Sequence, residues 1–293
     1  MAGKLRICVG IPTLGRAGVL LRTLKELNRQ NRAPDTVIVC GTQPADFEGA
    51  ISVRPGTVLL LAPAGLPRQR NAIVAAAGDA DALVFFDDDF LPHPDYLSVV
   101  EEHMAENPET IAATGRVVAD GINGPGLSAA EAVNLLAQPC HPGVADQPIF
   151  SAYGCNMAIR LGPVRRYDLS FDERLPLYGW QEDVDMSRQL ATYGKIVQLH
   201  AARGVHLGTK LGRGSGVRLG YSQVANPIYL AGKRRGYPLG RALSHITCNI
   251  AMNIVRSPWP EPYVDRRGRL RGNALAIRDF LSGRMLPERV LDF

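Results

Sequence analysis

The chain has 293 residues, 46% hydrophobic and 21% charged, a composition that excludes a disordered, collagen-like or coiled-coil polypeptide. Such a length holds one large α/β domain with an appendage, or two modest domains. The net charge of +5 conceals an asymmetry: residues 1–200 carry 17 basic and 23 acidic side chains, and residues 201–293 carry 16 and 5. A basic final third points to an anionic partner: ligand phosphates, an anionic lipid surface or nucleic acid.

The first 120 residues alternate short apolar runs with segments of helical period. Leu5–Ile11 is continuous and β-branched, as a central parallel strand is, and it reads as part of the fold, not as a secretory signal. Leu20, Leu21, Leu24 and Leu27 then fall at helical spacing in a segment ending near Gln30. Thr36–Cys40 and Thr57–Leu61 are the next strands, 67–77 a helix opened by Pro67, and Ala82–Phe86 a fourth strand running into three aspartates. This rhythm predicts βαβ units and a mostly parallel sheet with ligands at the carboxyl ends of the strands. Beyond 120 come a Gly/Pro-rich loop, a short helix over 128–137, a strand over Asn156–Arg160, a helix over 180–193 and a late strand over Ile196–His200. A glycine-punctuated loop then occupies 204–220, and the remainder is helical.

Five cysteines, Cys8, Cys40, Cys140, Cys155 and Cys248, form no C-x-x-C pair, so they read as buried thiols of a reducing, cytoplasmic compartment. The longest uncharged apolar-rich stretch, Ala242–Val255, is too short for the roughly 20 residues that span a bilayer. Leu239, Leu243, Ile246, Ile250 and Ile254 nevertheless form a helical stripe flanked by Arg241 and Arg256, with Trp259 beyond. Packing on the catalytic core and lying on an anionic bilayer both satisfy that pattern.

Three clusters can carry chemistry. Asp87-Asp88-Asp89 follows a buried-type strand, where adjacent carboxylates repel unless a hard cation shares them. On a loop, residues i and i+2 turn toward one ion, which selects Asp87 and Asp89. In the second cluster, residues 178–186, Trp180 offers a ring face for a sugar, beside Glu182 and Asp183, one of which could take a hydroxyl proton. Capping of the helix is the simpler role for these carboxylates. The third, residues 199–218, supplies His200, His206, Lys210, Arg213 and Arg218, an imidazole for a transition metal and cations for a diphosphate. No dinucleotide fingerprint, P-loop or G-x-S-x-G occurs.

Four segments, 9–27, 65–78, 83–97 and 171–190, with the later 206–234, together resemble family 2 glycosyltransferases of the bacterial exopolysaccharide and surface-glycan type. The resemblance implies an α/β GT-A (Rossmann-like) fold with a mostly parallel sheet flanked by helices, over 1–236, and a helical basic extension over 237–293. It further implies an inverting, metal-dependent transfer from a nucleotide sugar to a hydroxyl of a glycan or lipid-linked oligosaccharide. By the family pattern, Pro12 and Thr13 would line the nucleobase pocket, and Arg70 and Asn71 would face ribose and diphosphate. Asp87 and Asp88 would sit at the donor, and Asp89 with His206 would hold Mn²⁺ or Mg²⁺. Arg213 and Arg218 would lie near the phosphates, Trp180 and Glu182 at the acceptor, and Asp183 would be the catalytic base. Where many members carry an acidic pair after the second strand, this chain has Cys40-Gly41, leaving Thr42 or Asp46 to read the base. The expected partners are a UDP-sugar, or a GDP- or dTDP-sugar, a glycan or lipid-diphosphate-linked acceptor, and an anionic membrane at its inner face, but no nucleic acid. The competing readings are a sugar-1-phosphate nucleotidyltransferase and a non-catalytic nucleotide-sugar or carbohydrate-binding module.

Overall fold

The computed structural model describes residues 4–139, 144–210 and 214–293. Within them the chain forms two compact units: Met1–Ala64, Arg68–Ser170 and Leu190–Gly212 make one, and Gly65–Pro67, Phe171–Gln189 and Arg213–Phe293 make the other.

The first unit is built on a sheet. Its opening elements are β1 (Ile7–Pro12), α1 (Ala17–Leu27), β2 (Thr36–Gly41), the one-turn α2 (Ala50–Val53), β3 (Val58–Leu61), α3 (Leu66–Ala76) and β4 (Ala82–Phe85). β3, β2, β1 and β4 lie side by side and parallel, as the apolar runs predict. The chain moves outward from β1 to β3, then returns to the other flank of β1. This reversal between β1 and β4 is the kind of switch point at whose carboxyl edge α/β sheets bind ligands. Side chains of β1, β2 and β4 form the core with Leu20, Leu24 and Leu27 of α1.

Next come β5 (Phe90–Pro92), α4 (Tyr96–Glu106), β6 (Thr110–Asp120), α5 (Ala129–Leu136), β7 (Gln147–Pro148), β8 (Met157–Arg160), α6 (Leu161–Arg166) and, after α7 (Glu182–Leu190), which belongs to the second unit, β9 (Lys195–His206). β8 enters antiparallel between β4 and β6, and β9 runs parallel to β6 and antiparallel to β5 and β7. The sheet continues through β6, a strand absent from the sequence reading, and one expectation changes: β9 runs on from the expected end at His200 to His206. Hydrogen-bonding partners on both flanks, β5 and β6, hold that extension in the sheet, so the glycine-rich loop begins only after His206.

The second unit is helical. It contains α8 (Gly216–Gly232), α9 (Leu239–Arg256) and α10 (Arg266–Leu281), around a core of Tyr221, Val224, Ala225, Ile246, Ala276 and Val290. Compactness groups α8 with α9 and α10, whereas the sequence reading places its boundary after α8, at 236. Gly220 and Gly272 explain the grouping, because a methyl on either would overlap backbone of the facing helix. Cys8, Cys40 and Cys155 are buried, but Cys248 is exposed on α9, correcting the expectation for that thiol, and Cys140 lies outside the described residues.

Candidate active site

The three aspartates leave β4 in a turn whose backbone is fixed at every residue. Asp87 N–H donates to Cys155 O (3.1 Å), Thr23 Oγ1 donates to Asp88 O (2.6 Å), and Leu207 N–H donates to Asp89 O (2.9 Å). Beneath the turn, Phe86 stacks on Phe90 at 5.2 Å between centroids, and Tyr96 meets both rings edge-on. The aromatic run that reads as a strand therefore also supplies the floor under the carboxylates.

The side chains alternate. Asp87 and Asp89 turn toward His206, with Nε2 at 3.9 Å from Asp87 Oδ2 and 3.3 Å from Asp89 Oδ1. One ligand atom from each of these three residues lies within 4.8 Å of the others. Asp89 Oδ2 also accepts from Thr209 N–H at 2.7 Å. Asp88, expected beside the donor, instead turns inward with no exposed surface. Its carboxylate accepts from Thr13 Oγ1 (2.7 Å) and Arg16 Nε (3.2 Å), and the Arg16 guanidinium also lies 2.6 Å from its other oxygen. Burial pushes Asp88 up to about 7 against the pull of Arg16. Asp88 thus ties the end of β1 and the start of α1 to the aspartate turn.

His206 is held from behind by a residue the sequence reading missed. Asp120, at the end of β6, is the cross-strand partner of His206 and accepts from its Nδ1 at 2.9 Å. Tyr153 Oη donates to the other Asp120 oxygen at 2.9 Å, and Ile122 N–H donates to the first. Burial would lower the imidazolium, but bonds to Asp120 and Asp89 and the charges of Asp89 and Asp87 outweigh it and push His206 up to about 10. Burial would raise Asp89, yet His206, Arg16 and Thr209 bring it down to about 2. A proton on His206 therefore supplies positive charge among these carboxylates.

These residues fit a divalent cation. Two carboxylates and an imidazole form the mixed oxygen–nitrogen set that suits Mn²⁺, and a histidine whose second nitrogen is bonded to a carboxylate is the usual outer support of a ligating imidazole. With Nδ1 on Asp120, Nε2 is the nitrogen aimed at Asp87 and Asp89. Binding would exchange the His206 proton for the metal's charge.

The other expected donor residues surround this turn in a more covered state than foreseen. Pro12 and Thr13 are buried at the end of β1, and Gln69 Nε2 donates to both Thr13 O and Cys40 O. Arg70, only 1% exposed, lies over the Phe85 ring and donates to Gly154 O (2.8 Å) and Asp87 Oδ1 (3.4 Å), so it braces Asp87. Asn71 follows it, half-buried, on α3. Asp46 is fully buried, accepting from the N–H groups of Gly15, Thr42 and Gln43 and from Thr42 Oγ1; it locks its loop and has no face left to read a base.

In the helical unit, α7 opens at Glu182, placing Glu182, Asp183 and Asp185 in its first turn. Glu182 is buried and Asp183 half-buried. Trp180 precedes them in a segment where Leu177, Gly179 and Gln181 all have positive φ; its carbonyl accepts from Asn226, and its ring meets His245 edge-on. Arg218, expected near phosphates, donates from Nε to the Phe293 backbone oxygen at 2.7 Å. Arg213 lies outside the described residues.

Several solved structures share this fold. Residues 1–349 of S. aureus TarS give a TM-score of 0.59 at 16% identity, covering 98% of this chain and 82% of that one. Mannosyltransferase PcManGT from Pyrobaculum calidifontis, in complex with GDP-Man and Mn²⁺, gives 0.54 at 14% identity, covering 99% and 86%. GalNAc-T7 with UDP, GalNAc and Mn²⁺ gives 0.56 at 14% identity, covering 89% and 59%. The chain spans 59% of TarS 1–349 as seen with UDP, and 42% of another TarS chain. No curated protein matches it. At these identities the likenesses establish the fold, a GT-A-type α/β architecture. At the level of sequence, the family described as glycosyl transferase family 2 matches residues 8–167, more than half of the chain and the whole aspartate turn, so this chain belongs to glycosyl transferase family 2.

Proposed function

We propose that this protein is an inverting glycosyltransferase that moves a sugar from a nucleoside-diphosphate sugar to a hydroxyl of a glycan or lipid-linked oligosaccharide. The observation that carries the reading is the Asp87–Asp89–His206 triad at the switch-point edge of the sheet, with Asp120 behind the imidazole. Family membership supports it. Structures of similar fold carry UDP, UDP-GlcNAc or GDP-Man, which supports a nucleotide-sugar donor, a UDP-sugar first and a GDP- or dTDP-sugar next. Assembly of exopolysaccharide or another surface glycan, in the cytoplasm at the inner face of the membrane, is the corresponding setting.

Asp87, Asp89 and His206 would hold Mn²⁺ or Mg²⁺, which when bound neutralises charge developing on the departing diphosphate. The remaining work belongs to the protein. Asp183 takes the proton of the acceptor hydroxyl as its oxygen attacks the anomeric carbon from the face opposite the nucleotide. The bond from that carbon to the diphosphate oxygen breaks, and the electron pair leaves with the nucleoside diphosphate. Trp180 gives the acceptor sugar a ring to stack on, with Glu182 beside it, and Arg213 serves the phosphates.

A panel of nucleotide sugars, assayed for nucleoside diphosphate release with an acceptor mixture, tests the reading. General-base help is worth about 10²–10⁴ in rate, so Asp183→Asn is expected to lose at least about a hundredfold in turnover while still binding donor. Near-wild-type turnover in that variant would remove Asp183 as base. A requirement for a nucleoside triphosphate would mark a nucleotidyltransferase, and binding without release would mark a carbohydrate- or nucleotide-sugar-binding module.

A further inference from the structure

The helical unit carries a surface that its own packing leaves uncovered. α9 buries Ala242, Ile246 and Asn253 against its neighbours. Away from that buried side, Leu243, Ile254 and Val255 are 51%, 54% and 69% exposed, and in the turn beyond, Trp259 stands 83% exposed between two exposed prolines. Asn253 sits beside Ile254 in sequence yet is fully buried and bonded to Gln223 and Asn273, so the exposed flank belongs to a helix firmly fixed along its inner side.

Positive charge predominates along this stretch, and Glu261, just beyond the Trp259 turn, is paired with Arg266 at 2.8 Å. No Asp or Glu occurs from residue 186 to residue 260. Arg241 and Arg256, near the two ends of α9, are exposed. Exposed apolar groups with an indole beyond them, on a helix that carries arginines and no carboxylate, match an anionic bilayer interface: the apolar groups enter the acyl boundary and the guanidinium groups reach lipid phosphates. A second copy of the same chain is a poorer occupant, because a two-fold interface would set this cationic border against itself.

We propose that α9 and the Trp259 turn dock in the plane of an anionic lipid surface. The helix lies on the bilayer; no helix of the described residues is long and apolar enough to cross one. This docking goes beyond the transfer reading and does not rest on it, although it would bring the enzyme to the surface where a lipid-linked acceptor resides.

The test is co-sedimentation of the full chain, without nucleotide, with vesicles of phosphatidylcholine alone or mixed with phosphatidylglycerol. Each arginine near an anionic surface favours binding several-fold, so at least about tenfold more protein is expected on the mixed vesicles at low salt, with most of it released at high salt. Ile254→Ser/Val255→Ser/Trp259→Ser is expected to abolish binding with thermal unfolding nearly unchanged, since all three side chains are exposed. Should that variant misfold, quenching of tryptophan emission by brominated lipid gives a second readout: present in the native chain and lost in Trp259→Phe. Equal binding to both vesicles, binding to neither, or wild-type binding by a folded triple variant would overturn the proposal. So would a dimer in solution that the same variant dissolves, with no vesicle binding, which would assign the surface to a second copy. Nucleotide release measured without vesicles reports on transfer separately, so either reading can fail alone.

Discussion

Three adjacent aspartates of identical chemistry are made different by what surrounds each one. Asp88 points into the fold and meets Thr13 and Arg16, and Asp87 and Asp89 point the other way toward His206. The D-x-D pair is legible in the sequence because neighbours along a turn alternate in direction. Asp120 is not, since it lies 86 residues from His206 and only strand pairing brings them together. Its one sequence signal is an apolar run ending in an aspartate, the same pattern that ends β4. A support of this kind is worth about 10–100-fold in metal affinity. Asp120→Ala is therefore expected to weaken Mn²⁺ binding by that factor, measured by titration with electron paramagnetic resonance detection. Asp120→Asn, which keeps an acceptor oxygen, is expected to lose less, and unchanged affinity in the alanine variant would refute the support.

Among the elements, β1 to β4 with α1 and α3 follow directly from apolar periodicity, because each carries its own local pattern. β9 and α8 are different: the length of one depends on partners far earlier in the chain, on β5 and β6, and the grouping of the other on α10. At Gly220 of α8 the Arg269 backbone comes so close that an added methyl overlaps its carbonyl. Gly220→Ala is expected to cost about 1–3 kcal/mol, read from a lower urea midpoint with an unchanged slope. On α10, Asp279 is fully buried; burial would raise its carboxyl, but bonds from Arg289 and Tyr221 hold it below the usual carboxylate range. The folded state thus favours the ionised form. That contribution is complete above the unfolded pKa of about 4 and is lost as pH falls through the lower folded value. Asp279→Asn is expected to be less stable than wild type at neutral pH, with the gap closing in acid; a gap independent of pH would contradict the assignment.

For the whole molecule, a ligand that binds only the native state raises stability by mass action. Nucleoside diphosphate at a hundred times its dissociation constant adds about 2.7 kcal/mol, which for a unit of this size raises the melting temperature by about 5–10 °C. The shift is expected with Mn²⁺ present and largely lost with EDTA if Asp87, Asp89 and His206 hold a cation that would neutralise the diphosphate; equal shifts in both would remove the metal from donor binding. The sequence by itself determined the α/β class, the aspartate turn at the end of the fourth apolar run, His206 and the charge asymmetry, because these are properties of residue order and composition. Only the tertiary structure decided that Asp88, Arg70 and Asp46 face inward, that Asp120 stands behind His206, and that one flank of α9 is covered while another is bare. Each of those outcomes depends on contacts between residues distant along the chain, and residue order alone leaves open which of the available partners a side chain meets.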